Sequence, residues 1–307
     1  MINLQPKILV IVVLYNGARW LDKCCQAIKE STINLEPFFI DNKSSDSSVD
    51  IVKSHFPNCK IILSDKNLGF GKANNIGFRH ALQHDYDYVF LLNQDAYIAA
   101  DMMEKLLKAI PYMDSPGIIS PIQLKGDATG VDEHFKSCIY YTVCPGLLED
   151  AVRQSMKIAY KTYMGHAAAW LLPVSTLKQI GGFDPIFYHY GEDVHYVSRV
   201  LYHGLDIYIV PNSFVCHDRK FAGNEESYRK DILFRELKNS YLDLNRKNDF
   251  WSIKLQSRYL YRIAQSLLTL HWDYVAKSIM AYLQIFFHRK EYKKNIKKNM
   301  QCGANWL

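Results

Sequence analysis

The sequence predicts an α/β fold with a mostly parallel central sheet flanked by helices, and three observations predict it. Strand-like and helix-like stretches alternate through the first half of the chain, the pattern that produces parallel strands joined by crossover helices. The strand-like runs are continuously apolar and rich in β-branched residues, as in strands covered on both faces. Four consecutive runs then stop at polar residues: Tyr15-Asn16, Asp41-Asn42, Ser64-Asp65-Lys66-Asn67 and Asn93-Gln94-Asp95.

Each element follows from its own pattern. KILVIVVLY at 7–15 is the first strand, and an apolar run of that length is too short to span a membrane and lacks a signal-peptide cleavage pattern. GARWLDKCCQAIKEST at 17–32 sets Trp20, Leu21, Cys24, Cys25 and Ile28 at helical spacing, and EPFFIDN returns to strand. SSDSSVDIVKSHF at 44–56 opens on capping residues and carries Val49, Ile51, Val52 and Phe56 along one side. CKIILSD is a strand, GFGKANNIGFRHALQH a helix, YDYVFLLN a strand and MMEKLLKAI a short helix. The stretch 114–165 shows little periodicity and reads as irregular, a mobile or acceptor-contacting region. GHAAAWLLPVSTLKQIGGFDP resumes strand and helix; FYHYGEDVHYVSRVLYHG places Val194, Val197, Ser198 and Leu201 on one helical face; LDIYIVP is the last strand.

Composition narrows the function classes. Of 307 residues, 49% are apolar and 22% charged, the balance of a globular chain. The net charge of +6 is concentrated in HRKEYKKNIKKN at 288–299, and no nucleic-acid motif accompanies it. The seven cysteines have no CxxC spacing, which points to reduced thiols in a cytoplasmic protein and away from zinc or a disulfide framework. A dinucleotide-binding reading fails because YNGARW follows the first strand where GxGxxG belongs, and no GxxxxGK[ST] is present. In open sheets of this kind, ligands sit beyond the carboxyl ends of the strands, where the polar residues cluster.

Four stretches between about Lys7 and Asp218 carry a resemblance: VVLYNG, IDNKSSDSS, NLGFGKANNIG, and the ordered pair LLNQDA and GGFDPIFYHYGEDV. They resemble the family 2 glycosyltransferases of the GT-A fold, including the rhamnosyltransferases of bacterial surface glycans. The resemblance implies an inverting transfer from a nucleotide-sugar donor, a UDP-sugar or dTDP-rhamnose. It places Asp95, at the end of the NQD segment, on a divalent cation (Mn2+ or Mg2+) that holds the donor diphosphate, with His217 completing the metal site. Tyr15, Asn16, Asp41, Asn42, Asn67, Lys72, Asn75 and Asn93 fall on the nucleotide-sugar side, with Asp41 toward the base and Lys72 toward phosphate. Asp193 is implied as the general base and Glu192 as its neighbour orienting the acceptor or the loop. For single residues a plainer reading stands beside each role: Lys72 as a solvated helix lysine, and Glu192 and Asp193 as acids favouring a helix N-terminus.

The sequence divides into a catalytic domain at 1–225 and a helical, basic extension at 226–307. The segment from 259 to 290 is apolar and aromatic but carries Arg262, Asp273 and Lys277, which excludes a transmembrane span. It suits peripheral contact with an anionic membrane, and equally a helical cap or a homodimer contact. The expectation is therefore a cytoplasmic enzyme, at the inner membrane face, acting on a growing, lipid-linked glycan. A protein that keeps the fold but only binds nucleotide or glycan, or that scaffolds assembly, is the alternative; Asn93, Gln94 and His195, which depart from the acids of many relatives, motivate it.

Overall fold

β1 (Ile8–Leu14) shows how the sequence builds two cores at once. Ile8, Val10, Val12 and Leu14 enter one apolar cluster and Leu9 and Ile11 the other, because successive side chains point to opposite faces of a strand. The computed structural model describes residues 6–188, 190–219, 232–246, 253–268 and 272–307. β1 is followed by α1 (Ala18–Lys29), β2 (Glu36–Asp41), α2 (Ser48–His55), β3 (Lys60–Leu63), α3 (Phe70–Gln83) and β4 (Tyr88–Asn93). Next come β5 (Ala96–Ile98), α4 (Met102–Ala109), β6 (Pro116–Lys125), α5 (Leu147–Val152), β7 (Tyr160–Thr162) and β8 (Ala169–Pro173). The remainder is α6 (Val174–Ile180), α7 (Glu192–Tyr202), β9 (Asp206–His217), α8 (Ile232–Leu242), α9 (Ile253–Leu268) and α10 (Trp272–Asn299).

The nine strands form one sheet in the order β3-β2-β1-β4-β8-β6-β9-β5, with β7 added alongside β9. β3, β2, β1 and β4 run parallel in register, Leu14 beside Asp41 and Val13 beside Asn93, so their polar carboxyl ends share one edge. β8 is antiparallel to β4 and to β6, and β9 is parallel to β6, which returns the end of β9 to that same edge. On one face α1 and α4 deliver Leu21, Cys24, Ile28, Met102, Met103 and Leu106; on the other α3, α6 and α7 deliver Phe78, Leu177, Ile180, Tyr196 and Val200. All seven cysteines are free thiols.

The stretch 114–165 is ordered, contrary to its irregular appearance. It holds β6, a 3-10 turn at Phe135–Cys138, α5 and β7 around a third core of Ile122, Phe135, Cys138, Cys144, Leu147, Tyr160 and Ile209. β6 reads as a loop because PGIISPIQLK carries two prolines, which remove ladder hydrogen bonds. The sheet accommodates them with register shifts between Pro116 and Ile118 and between Pro121 and Ile122. On α7 the expected apolar face is also corrected: Val194 is exposed, while Glu192, His195 and Arg199 are buried with Tyr196, Val197 and Val200.

The chain separates into two compact units, one comprising 1–219 with 302–307 and the other 220–301. Residues 302–307 thus belong to the unit that holds the sheet, whereas sequence alone assigns them to the extension. Within the second unit α10 packs against both α8 and α9. No helix among the described residues is long and apolar enough to cross a membrane.

Candidate active site

The residues that the resemblance assigns to the nucleotide lie at the ends of β1 and β2 and at the start of α3. Gln94 clamps the end of β1: its Oε1 accepts the Tyr15 N–H at 2.9 Å and its Nε2 donates to the Tyr15 carbonyl at 3.0 Å, leaving the Tyr15 ring half exposed at the edge. Asn16 takes a left-handed backbone (φ 47°), and its Oδ1 accepts the Ser45 N–H at 2.8 Å, tying the β1 turn to the β2 loop. Asp41 is buried, and its two carboxylate oxygens accept the Ser44 N–H at 3.2 and 3.1 Å. Residues 44–47 precede α2, which begins at Ser48 with Ser47 at its N-cap. Lys72 is exposed on the first turn of α3.

Two of the amides assigned to the nucleotide, Asn42 and Asn75, are buried and bonded within the protein, and the partly buried Asn67 closes a local turn. Asn42 donates to the Gly69 carbonyl at 3.3 Å and accepts the Leu68 N–H at 3.2 Å. Asn67 accepts the Gly69 N–H at 2.8 Å. Asn75 accepts the Phe183 N–H at 2.8 Å and donates to the Phe183 carbonyl at 2.9 Å, fixing the Gly-Gly-Phe-Asp turn from beneath. Gly69 is required where it stands: its φ is +77°, and a Cβ there would lie 2.1 Å from the Tyr188 carbonyl oxygen.

The residues that the resemblance assigns to a cation lie where β4, β5 and β9 meet. Asp95 lies between β4 and β5, its carbonyl accepts the Asp218 N–H at 2.8 Å, and its carboxylate is 3.3 Å from Nε2 of the buried His217. Asn93 Nδ2 lies 3.4 Å from the same nitrogen. A carboxylate and an imidazole on one side of a polar edge fit a divalent cation whose other ligands are diphosphate oxygens and water. Among the described residues no group of three or more His, Cys, Asp or Glu could hold a metal ion alone. Arg219 Nε donates to His217 Nδ1 at 3.0 Å and lies 3.4 Å from Asp132, so His217 presents Nε2–H to Asp95. For His217 to become a ligand, Arg219 must release Nδ1 so that the proton can sit there. Burial, with Asp218 and Asp95 adding to it, pushes the nearby Tyr97 phenol well up and keeps it neutral.

The acidic pair follows a turn braced from several directions. The guanidinium of the fully buried Arg199 donates to the carbonyls of Ile180 and Gly182, and Tyr196 donates to that of Gly181 at 3.0 Å. Burial lowers Arg199 to about 10, against the opposing pull of Tyr196 and Asp184, so it remains a cation at neutral pH. Gly182 donates to the Asn305 carbonyl at 2.8 Å, and Gly303 to that of Gln179 at 2.7 Å, so 302–307 closes over the turn. Glu192 is buried at the start of α7, whereas Asp193 is partly exposed and accepts the Val194 N–H at 2.8 Å. Asp193 Oδ2 also lies 3.4 Å from Nδ1 of His166, a residue that sequence reasoning passes over because nothing in GHAAAW distinguishes it from a core histidine. Arg219 and Asp132 are missed similarly; only the fold brings them to His217.

The sequence model of glycosyl transferase family 2 matches residues 9–162. The dTDP-rhamnosyl transferase RfbF of Shigella flexneri is 22% identical over 226 residues, 70% of each chain. An uncharacterized glycosyltransferase of Haemophilus influenzae is 31% identical over 107 residues, 34% of this chain and 42% of that one. Among solved structures, GalNAc-T7 with UDP, GalNAc and Mn2+ superposes with a TM-score of 0.64 at 14% identity, covering 98% of this chain and 56% of the other. The mannosyltransferase PcManGT from Pyrobaculum calidifontis, with GDP-Man and Mn2+, gives 0.53 at 16% identity, covering 96% and 84%. At these identities the structures establish a shared GT-A fold.

Proposed function

The chain belongs to glycosyl transferase family 2, and from that premise we propose an inverting transfer of one sugar from a nucleotide-diphosphate donor to a hydroxyl of a growing, lipid-linked surface glycan. The observation that carries this reading is the convergence on one sheet edge of Asp95, His217 and the polar ends of β1 and β2. The donors favoured are UDP-sugars and dTDP-rhamnose; one relative is a dTDP-rhamnosyl transferase and a structural neighbour was solved with UDP.

In this reaction the acceptor oxygen forms a bond to the anomeric carbon as the bond from that carbon to the diphosphate oxygen breaks. The leaving nucleotide takes the electron pair. Asp193 accepts the acceptor's hydroxyl proton on a carboxylate oxygen, and Glu192, beside it at the start of α7, orients the acceptor. Tyr15 offers its exposed ring to the base, Asp41 its buried carboxylate behind the Ser44 amide, and Lys72 a point charge for phosphate. Asp95 and His217 would hold a divalent cation, which when bound neutralises charge building on the leaving diphosphate.

A membrane-facing role for the second unit is supported by α10. Trp272, Ile279, Met280, Leu283 and Phe287 are all exposed and recur at helical spacing, and Lys290 and Lys294 continue the same stripe. An apolar stripe running into lysines matches an anionic bilayer surface, where a lipid-linked acceptor resides, on the cytoplasmic side.

Thermal-shift and calorimetric titration with UDP, dTDP, GDP and CDP, each with Mn2+, Mg2+ or EDTA, tests the donor reading. One nucleotide should stabilise the chain only with metal, and Asp95→Ala should abolish that dependence. Asp193→Asn should retain nucleotide binding and lose turnover by about 10²–10⁴-fold. Metal-independent binding in the native chain would reject the cation site, and full turnover in Asp193→Asn would reject the base.

A further inference from the structure

His166 sits in the turn between β7 and β8, and its two ring nitrogens have different partners. Nδ1 faces Asp193 Oδ2 at 3.4 Å and Nε2 faces Ser137 Oγ at 3.2 Å. Ser137 has one hydroxyl proton, and it donates that proton to the His134 carbonyl at 2.7 Å. Toward His166, Ser137 can therefore only accept, and an ionised Asp193 can likewise only accept. With the Ser137 proton on the His134 carbonyl and Asp193 ionised, both ring nitrogens face acceptors, an arrangement that an imidazolium satisfies at both positions.

We propose that His166 is a positioning residue for Asp193, a cation that keeps the carboxylate ionised and aimed while it waits for the acceptor's proton. The proposal rests on the reading of Asp193 as base. It deepens that reading by assigning a function to the 3-10 turn at Phe135–Cys138, which presents Ser137 to the ring. A spacing of 3.4 Å is long for a hydrogen bond, as catalytic pairs that tighten on substrate commonly are.

The groups facing His166 are consistent with this charge. Burial opposes it, but hydrogen bonding to Asp193 and Cys138, together with the Asp193 carboxylate's charge, outweighs burial and raises His166 to about 10. His134, on the same turn, is pushed the other way by burial and by Arg219, so the two histidines do not compete for one proton. The ring is also fixed through its own backbone, whose carbonyl accepts from Gln123 Nε2 at 2.9 Å.

The test uses the full-length chain. Long-range 15N–1H correlation of the histidine imidazoles should show His166 doubly protonated at pH 7.5, and Asp193→Asn should lower its titration by a unit or more. Nucleoside diphosphate release should then be followed across pH, with dTDP-rhamnose and UDP-glucose as the donor probes. His166→Leu should reduce kcat about tenfold at pH 7 with donor KM unchanged, and should move the acid limb of kcat/KM to higher pH by about one unit. His166→Asn, which retains a donor near the Nδ1 position, should recover most of kcat while leaving the limb displaced. A neutral His166, or equal losses in both variants with native melting and no movement of the limb, would overturn the proposal while leaving the base assignment standing. An active Asp193→Asn variant would remove the base assignment, and the positioning role with it.

Discussion

Asn75 and His166 show how far a side chain's role depends on what the fold sets beside it. In the sequence Asn75 lies in a helix start that relatives place around the nucleotide, yet its amide is used on both sides of Phe183. Asn75→Ala would leave a buried N–H and carbonyl without partners, at a cost of about 1–3 kcal/mol each. We expect a markedly lower midpoint in denaturant melts, with nucleotide affinity retained at temperatures where the variant is folded. His166 predicts a pH dependence with a definite sign. Its folded value, about 10, lies above the ordinary 6.5. Its contribution to stability is therefore complete below about 6.5 and is lost as pH rises toward 10. The melting-temperature difference between the native chain and His166→Leu should be largest in mildly acidic to neutral buffer and shrink toward pH 10.

At the scale of elements, the Gly-Gly-Phe-Asp turn is the junction on which the acidic pair depends. Arg199, Tyr196, Asn75 and the 302–307 segment all bond its backbone. Gly181 has φ +78°, and a Cβ there would lie 2.0 Å from the Asn305 carbonyl oxygen, so the 302–307 segment passes where no side chain fits. Gly181→Ala combines left-handed strain with that clash, and should cost at least ~2 kcal/mol and displace 302–307. Faster hydrogen exchange at Gly182 and Gly303 in the variant would report the displacement, and unchanged protection would reject it. The GGFDP motif was legible in the sequence as a family mark, but the need for its glycines was not, because the contacting residue lies more than a hundred positions away.

For the whole molecule, the alternation of strand and helix and the two-sided burial of β1, β2 and β4 were legible, since period and apolar continuity are local properties. β6 was not, because two prolines hide a central strand that neighbouring β8 and β9 stabilise. The second unit presents the whole-molecule prediction. Met280→Glu with Phe287→Glu should abolish sedimentation with phosphatidylglycerol vesicles while turnover on a soluble acceptor analogue persists. Equal vesicle binding by the native and doubly substituted chains would remove α10 as the contact, and self-association lost on substitution would make the stripe a homodimer face instead.

By itself the sequence determined the family, the α/β architecture and the residues at the strand ends, because each is written in short stretches whose chemistry acts locally: periodicity, turn residues and motif spacing. Tertiary structure alone decided which polar groups meet. It turned Asn42 and Asn75 inward, gave His217 to Arg219 and Asp95, closed 302–307 over the acidic turn and set His166 beside Asp193. Hydrogen bonds and ion pairs act over a few ångströms in space, and separation along the chain carries no record of them.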